Sequence, residues 1–320
     1  MRVLITGGAG FIGANLCRAL LEAQAGMSVV VFDDLSSGRL SNLDGLDVEM
    51  IEACVLDRTA LARAMSGIDS VVHLAARGSV PRSVADPVGS VNVNTMGTLN
   101  VLEACRAAGI DHLVFASSSS VYGMNMTLPK HEDLAPQPAS PYAASKLAAE
   151  SLVLAYAETY RLKTLAFRFF NVYGPLQPAD HDYAAVVPRF LDAALRDEPV
   201  IVYGDGRQSR DFTYVDTLTA IVVQALARGV SNPGPINLAF GGRTDLLTLI
   251  QLIERELGFP VAREHEPARS SDVRHSQASG ARLRELFPDV QPTALDVGLR
   301  RTVAWHQAQS MLNSLVRSSD

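Results

Sequence analysis

The chain is 320 residues long, 48% hydrophobic and 19% charged, with a formal net charge of −6. That length carries one large domain or two intertwined lobes, and the composition excludes intrinsic disorder. The acidic balance argues against nucleic acid or an anionic membrane as a partner, and the cysteines at 17, 54 and 105 are too scattered for a zinc site or disulfide framework, which fits a reducing cytoplasm.

In chain order, the apolar run at residues 3–5 predicts a first strand that enters a glycine turn, where a cleaved secretory signal would show an apolar stretch after charges. Residues 12–23 carry apolar side chains at three- and four-residue intervals and predict a helix, as do 94–108 and 142–160. Between them, residues 28–32, 70–74, 113–116 and 164–167 are short β-rich runs of the kind buried in a parallel sheet. The alternation predicts a Rossmann-like α/β fold, a parallel sheet with helices on both faces. After Gly174-Pro175 the elements shorten between Gly204, Gly206, Pro233, Gly234, Gly241, Gly242 and Pro260, which predicts a smaller C-terminal α/β substrate lobe. The expected division is residues 1–174 mainly for the nucleotide and 175–320 mainly for the substrate, with some chain crossing. No run reaches the roughly 18 apolar residues of a membrane span.

The turn itself is Thr6-Gly7-Gly8-Ala9-Gly10-Phe11-Ile12-Gly13, between a strand and a helix. Gly7 and Gly8 permit the tight turn, Gly10 lets the backbone approach a pyrophosphate, and Gly13 allows helix to pack on strand. The helix N-terminus then faces the anion. Asp33 ends the second strand twenty residues after Gly13, where a carboxylate accepts from an adenine-ribose diol and repels a 2′-phosphate. NAD is therefore expected over NADP.

Ser117-Ser118-Ser119-Ser120 follows the strand at 113–116, at the carboxyl edge where parallel sheets place ligands. Pro141-Tyr142-Ala143-Ala144-Ser145-Lys146 opens the next helix, and a spacing of four sets Tyr142 and Lys146 on one face. A nearby ammonium lowers a phenol's pKa, so Tyr142 is a candidate general base, Lys146 its partner, and Ser118 a candidate hydrogen-bonding relay. The seven histidines show no metal-ligand spacing, and no metal is expected; His73 is expected to line the cofactor cleft.

The sequence resembles the extended short-chain dehydrogenase/reductases, and within them the nucleotide-sugar 4-epimerases. The resemblance rests on TGGAGFIG at 6–13, HLAA at 73–76, NTMGT at 94–98, SSSSVYG at 117–123, PYAASK at 141–146, RFFNVYGP at 168–175, YGDG at 203–206, SRDF at 209–212 and SDVRHS at 271–276. It implies C4 epimerisation of a UDP-hexose through a 4-keto sugar, with NAD regenerated in each cycle, and a homodimer. It implies Ser118, Tyr142 and Lys146 as catalytic, with Ser117 and Ser119 as rivals for the serine. NAD contacts are implied at Gly7, Gly10, Phe11, Ile12, Gly13, Asp33, Ser36, Ser37, Gly38, Leu74, Ala75, Ala76, Asn94, Tyr142 and Lys146. Substrate contacts are implied at Gly78, Ser79, Ser118, Ser119, Asn171, Val187, Tyr203, Arg210, Arg269, Asp272 and Ser276. Arg210 and Arg269 would clamp the diphosphate, Tyr203 would lie against uracil and Asp272 would contact ribose.

Two departures carry information. Where the family commonly has an acid against adenine, this chain reads Ala53-Cys54-Val55. Where the dehydratases carry Asp-Glu before VYG, it reads Ser119-Ser120, without a carboxylate for elimination. Ser276 replaces a bulky tyrosine beside sugar C2, and the segments 78–83 and 183–189 resemble the N-acetyl branch. UDP-N-acetylglucosamine and UDP-N-acetylgalactosamine are thus the expected pair, with UDP-glucose, UDP-galactose and UDP-glucuronate as alternatives, and with Arg189 open to a carboxylate role.

Overall fold

The computed structural model describes residues 1–23, 26–179, 184–268 and 274–317, the last six without side chains. Five apolar runs form the strands β1 (Arg2–Thr6), β2 (Ser28–Asp33), β4 (Ser70–His73), β5 (His112–Ser118) and β6 (Lys163–Phe169), with β3 (Val48–Glu52) between β2 and β4 in the chain. All are parallel, and Ile236–Leu238 adds a seventh strand beside β6. The spatial order is Ile236–Leu238, β6, β5, β4, β1, β2, β3. Succession reverses between β1 and β4, and outside the carboxyl ends of those strands an open parallel sheet leaves a crevice.

Each face of the sheet is covered because the strands are apolar on both sides. One face packs Val3, Ile5, Val29 and Val31 against the helices Phe11–Ala23 and Val215–Arg228. The other packs Leu4, Val30, Val71 and Leu113 against Arg58–Ala64, Gly97–Ala108 and Pro141–Tyr160. Leu16, fully buried in the first layer, would cost about 2–5 kcal/mol on truncation to Ala. Residues 215–238 thus return from the C-terminal half to complete the seven-stranded sheet.

The second lobe has its own core of Val187, Phe190, Leu191, Val200, Val202, Leu249, Ile253, Leu299 and Val303. It joins the helices Val186–Leu195, Leu246–Leu257 and Leu295–Arg317 to the parallel pair Val200–Tyr203 and Arg263–Glu266. Among the described residues no helix is long and apolar enough to cross a membrane, and no cluster of His, Cys, Asp and Glu is arranged to hold a metal ion.

Candidate active site

The crevice at the strand reversal is a cleft of about 750 Å³, within the range of small-molecule sites. Gly7, Gly10, Phe11, Ile12 and Gly13 floor it, Asp33, Ser36 and Ser37 border one end, and Leu74, Ala75, Ala76, Gly78 and Ser79 form a wall. Gly7 holds φ +73, and a Cβ there would lie 2.7 Å from the Ala75 nitrogen; a Cβ on Gly13 would lie 2.2 Å from the Gly7 carbonyl oxygen. Only glycine satisfies both positions, so the backbone itself shapes the cradle. Asp33 is buried and already accepts from the amides of Ala9 and Leu35, each at 2.9 Å. Burial raises its pKa, against those two bonds.

Ser118, Tyr142 and Lys146 all line this cleft. Ser140 caps the helix Pro141–Tyr160 by accepting from Ala143, and the Tyr142 amide donates to Ser83 Oγ at 3.0 Å. These bonds fix where the helix begins and so where the phenol stands. Burial raises the Tyr142 pKa and a hydrogen bond with the Ser118 hydroxyl lowers it. The expected downward pull by Lys146 is not among the causes; within the protein the opposing influence is Ser118. Lys146 is buried, its ammonium 4.6 Å from the centroid of the Phe115 ring, and burial lowers its pKa to about 8 against the field of Glu150.

The three adjacent serines separate by direction. Ser117 Oγ donates to buried Glu150 at 2.6 Å. Ser118 accepts from the Ser120 amide at 3.1 Å and meets the Tyr142 phenol. Ser119 opens into a second, smaller pocket of about 200 Å³, where Ser120, Asn171, Arg210 and Ser276 also lie. Asn171 borders both spaces. Its backbone is left-handed at φ +28, a conformation Asn tolerates better than most residues, and its amide nitrogen donates to the Asp211 carbonyl at 3.1 Å.

Several expected contacts lie elsewhere. Gly38 is buried where a Cβ would meet Ala9 at 2.9 Å, so it packs under the glycine turn and not on the cleft. Asn94 is buried behind the wall, in a π-helical turn over Asn92–Met96; its Oδ1 accepts from the Arg77 amide at 2.7 Å and its Nδ2 donates to Ser145 at 2.9 Å. His73 lies beneath the cleft. Its Nδ1 is 2.6 Å from Thr6 Oγ1 and its Nε2 2.9 Å from Thr98 Oγ1. Because the Thr98 hydroxyl donates to the Asn94 carbonyl, Nε2 is the donor, and burial lowers the ring's pKa to about 3, which keeps it neutral. Val187 is 1% exposed in the core of the second lobe, its side chain committed to packing there. The segment 78–83 is a helix start rather than a loop, with Ser79 capping Val80–Ala85. Arg269, Asp272 and Tyr183 lie outside the described residues.

A model for the NAD-dependent epimerase/dehydratase family matches residues 3–239. The chain belongs to that family. It is 37% identical over 317 residues to a UDP-glucose 4-epimerase of Mycolicibacterium smegmatis, covering 97% of this chain and 100% of that one. It is 33% identical over 319 residues to a UDP-glucuronate 4-epimerase of Thermodesulfobacterium geofontis, covering 94% and 95%. The solved UDP-N-acetylglucosamine 4-epimerase from Methanobrevibacter ruminantium M1, in complex with UDP-N-acetylmuramic acid, superposes with a TM-score of 0.90 at 35% identity, covering 96% of this chain and 98% of that one.

The cleft fits the family's NAD. The glycine cradle leaves room that any Cβ would close, and Asp33 stands at the far end where a ribose diol would reach. Gln177 also lines the cleft; its nitrogen donates to the Val172 carbonyl, and its buried Oε1 has no partner among the described residues. An orphaned acceptor on the cleft is a place for a ligand donor. Sequence reasoning missed Gln177, Glu150 and Arg168. Only RFFNVYGP at 168–175 marked Arg168, by resemblance, and a lone Glu or Gln on a helix or loop gives no local signal of burial.

Proposed function

We propose that this chain, an NAD-dependent UDP-sugar 4-epimerase, interconverts UDP-N-acetylglucosamine and UDP-N-acetylgalactosamine in preference to the unacetylated pair. The observation that carries the preference is Ser276, a small side chain on the small pocket beside Ser119 and Asn171, where a tyrosine would take up the volume an acetamido group needs. UDP-glucose and UDP-galactose also fit such a pocket and lose only contacts, a difference of about 1–3 kcal/mol.

In this reading the Tyr142 phenol takes the proton from the sugar 4-hydroxyl, with the Ser118 hydroxyl bonded between them as relay. NAD supplies the hydride acceptor and donor at C4 and, when oxidised, a positive ring charge. Lys146, four residues further along the same helix, lines the same cleft and offers its ammonium to the phenolate as it forms. Tyr142 returns the proton to O4 once the 4-keto sugar has turned its other face. Arg210, with Arg269 and Asp272, holds the nucleotide end, so the sugar can turn without leaving. Among the described residues no Asp or Glu lines the small pocket, so nothing there serves an elimination of water.

The reading includes a homodimer, with a second copy over the first-half helices that leave Val84, Val88 and Val91 exposed by 66%, 69% and 41%. Sedimentation showing a monomer at micromolar concentration would remove that part. The substrate preference is tested by kcat/KM on the acetylated and unacetylated UDP-sugars; a higher value on the acetylated pair is expected, and a clear preference for UDP-glucose would reject it.

A further inference from the structure

Glu150 lies one helical turn beyond Lys146, and both are 3% exposed. Arg168 on β6 grips its carboxylate with two bonds, Nη2 to Oε1 at 2.7 Å and Nε to Oε2 at 3.0 Å, and Ser117 Oγ donates a third at 2.6 Å. Lys146 itself makes no hydrogen bond or ion pair with the described residues; its contact is the Phe115 ring. The titratable and charged groups around it are Tyr142 and Glu150 on its own helix, His73 on β4 and, through Glu150, Arg168 on β6. His73 is neutral, so the compensating charge for a buried ammonium is Glu150.

Arg168 continues the connection. Its guanidinium lies 4.7 Å from the Tyr122 ring centroid, the Tyr122 hydroxyl donates to Asn237 Oδ1 at 2.7 Å, and Asn237 Nδ2 donates to the Lys130 carbonyl at 2.9 Å. Lys130 and Tyr122 border the pocket that Ser276 lines. A chain of buried polar and ring contacts therefore runs from Glu150, one turn from the candidate catalytic lysine, to the wall of the pocket that Ser276 lines.

We propose that Glu150, locked by Arg168 and Ser117, is a positioning residue that keeps the Lys146 ammonium charged and in place on the cleft it shares with Tyr142. It acts through Lys146, without touching substrate. The proposal rests on the catalytic reading of Lys146, and its primary test does not depend on which sugar is turned over.

The chain contains three lysines, Lys130, Lys146 and Lys163. Lysine labelled with carbon-13 at Cε therefore gives three resonances, assigned by one Lys→Arg variant each, whose pH titration reads Lys146 directly. Glu150→Gln alone leaves Arg168 buried without its counter-charge and is expected to fold poorly, so the decisive protein is the double variant Glu150→Leu, Arg168→Met, which removes both charges and keeps apolar volume. In the wild type Lys146 should titrate near 8. In the folded double variant its midpoint should fall by about one pH unit or more, with the Lys163 midpoint unmoved. The alkaline limb of kcat/KM on UDP-N-acetylglucosamine should move to lower pH by the same amount. A folded double variant whose Lys146 midpoint stays in place overturns the proposal, as does a midpoint that falls while the alkaline limb does not. Lack of turnover in the wild type, by contrast, would count against the epimerase reading and leave the titration result standing.

Discussion

The guanidinium of Arg189 lies 5.5 Å from the centroid of the Tyr203 ring and 5.8 Å from that of Phe190. That holds it beside the residue assigned to uracil, and the role expected of it is at the nucleotide end and not at the carboxylate of a hexuronate. Arg189→Met should therefore raise KM for every UDP-sugar by a similar factor, roughly three- to tenfold for a lost cation–π contact of about 1 kcal/mol. Steady-state kinetics on UDP-glucose and UDP-glucuronate check this; a loss confined to UDP-glucuronate would assign Arg189 to the carboxylate instead.

Ser276→Tyr fills the pocket shared with Ser119 and Asn171. Turnover of the N-acetylated sugars should drop by about 10- to 200-fold, as expected for a clash worth about 1–3 kcal/mol, while turnover of UDP-glucose is held. Equal losses on both pairs would show that Ser276 does not gate the sugar.

Tyr142→Phe removes the phenolic hydroxyl and leaves the glycine cradle untouched. The expected loss in kcat is about 10²–10⁴-fold, with NAD still bound through the cradle. Near-normal turnover would transfer the proton chemistry to another group.

His73 makes acid stability readable. Burial first, and the Lys146 charge second, lower its pKa from 6.5 in the unfolded chain to about 3. Between those values the unfolded chain binds the proton and the folded one does not, so this contribution is fully present above pH 6.5 and is lost as pH falls toward 3. The slope is at most about 1.4 kcal/mol per pH unit. His306, depressed to about 4, adds in the same direction. His73→Gln should flatten the dependence of the urea midpoint between pH 6.5 and 4.5; an unchanged slope would mean that His73 is not held neutral.

The strands and the first and third helices were legible because both signals are local: continuous apolar runs for the buried strands, and three- and four-residue spacing at the turns. β3 was not, because its Val48-Glu49-Met50-Ile51-Glu52 sits at the sheet edge with no residue fully buried and mixes acids with apolar side chains. Ile236–Leu238 is three residues long and joins a sheet whose other members end some seventy residues earlier, so only tertiary pairing reveals it. The helix expected from residue 94 begins in a π turn, which carries Asn94 behind the wall and not onto it. In the site, spacing alone set Tyr142 and Lys146 on one helix face and put the serine run at a strand end. The choice among Ser117, Ser118 and Ser119 was not legible, since it depends on Glu150 lying under one of them and on an open pocket beside another.

Inversion through NAD should return to C4 the same hydrogen that left it. The most direct measurement is to incubate the purified protein with UDP-N-acetylglucosamine in deuterium oxide and to analyse the product by mass and by proton NMR. UDP-N-acetylgalactosamine of unchanged mass, with protium retained at C4, is the predicted result. A product lighter by water or carbon dioxide, or deuterium at C4, would contradict it.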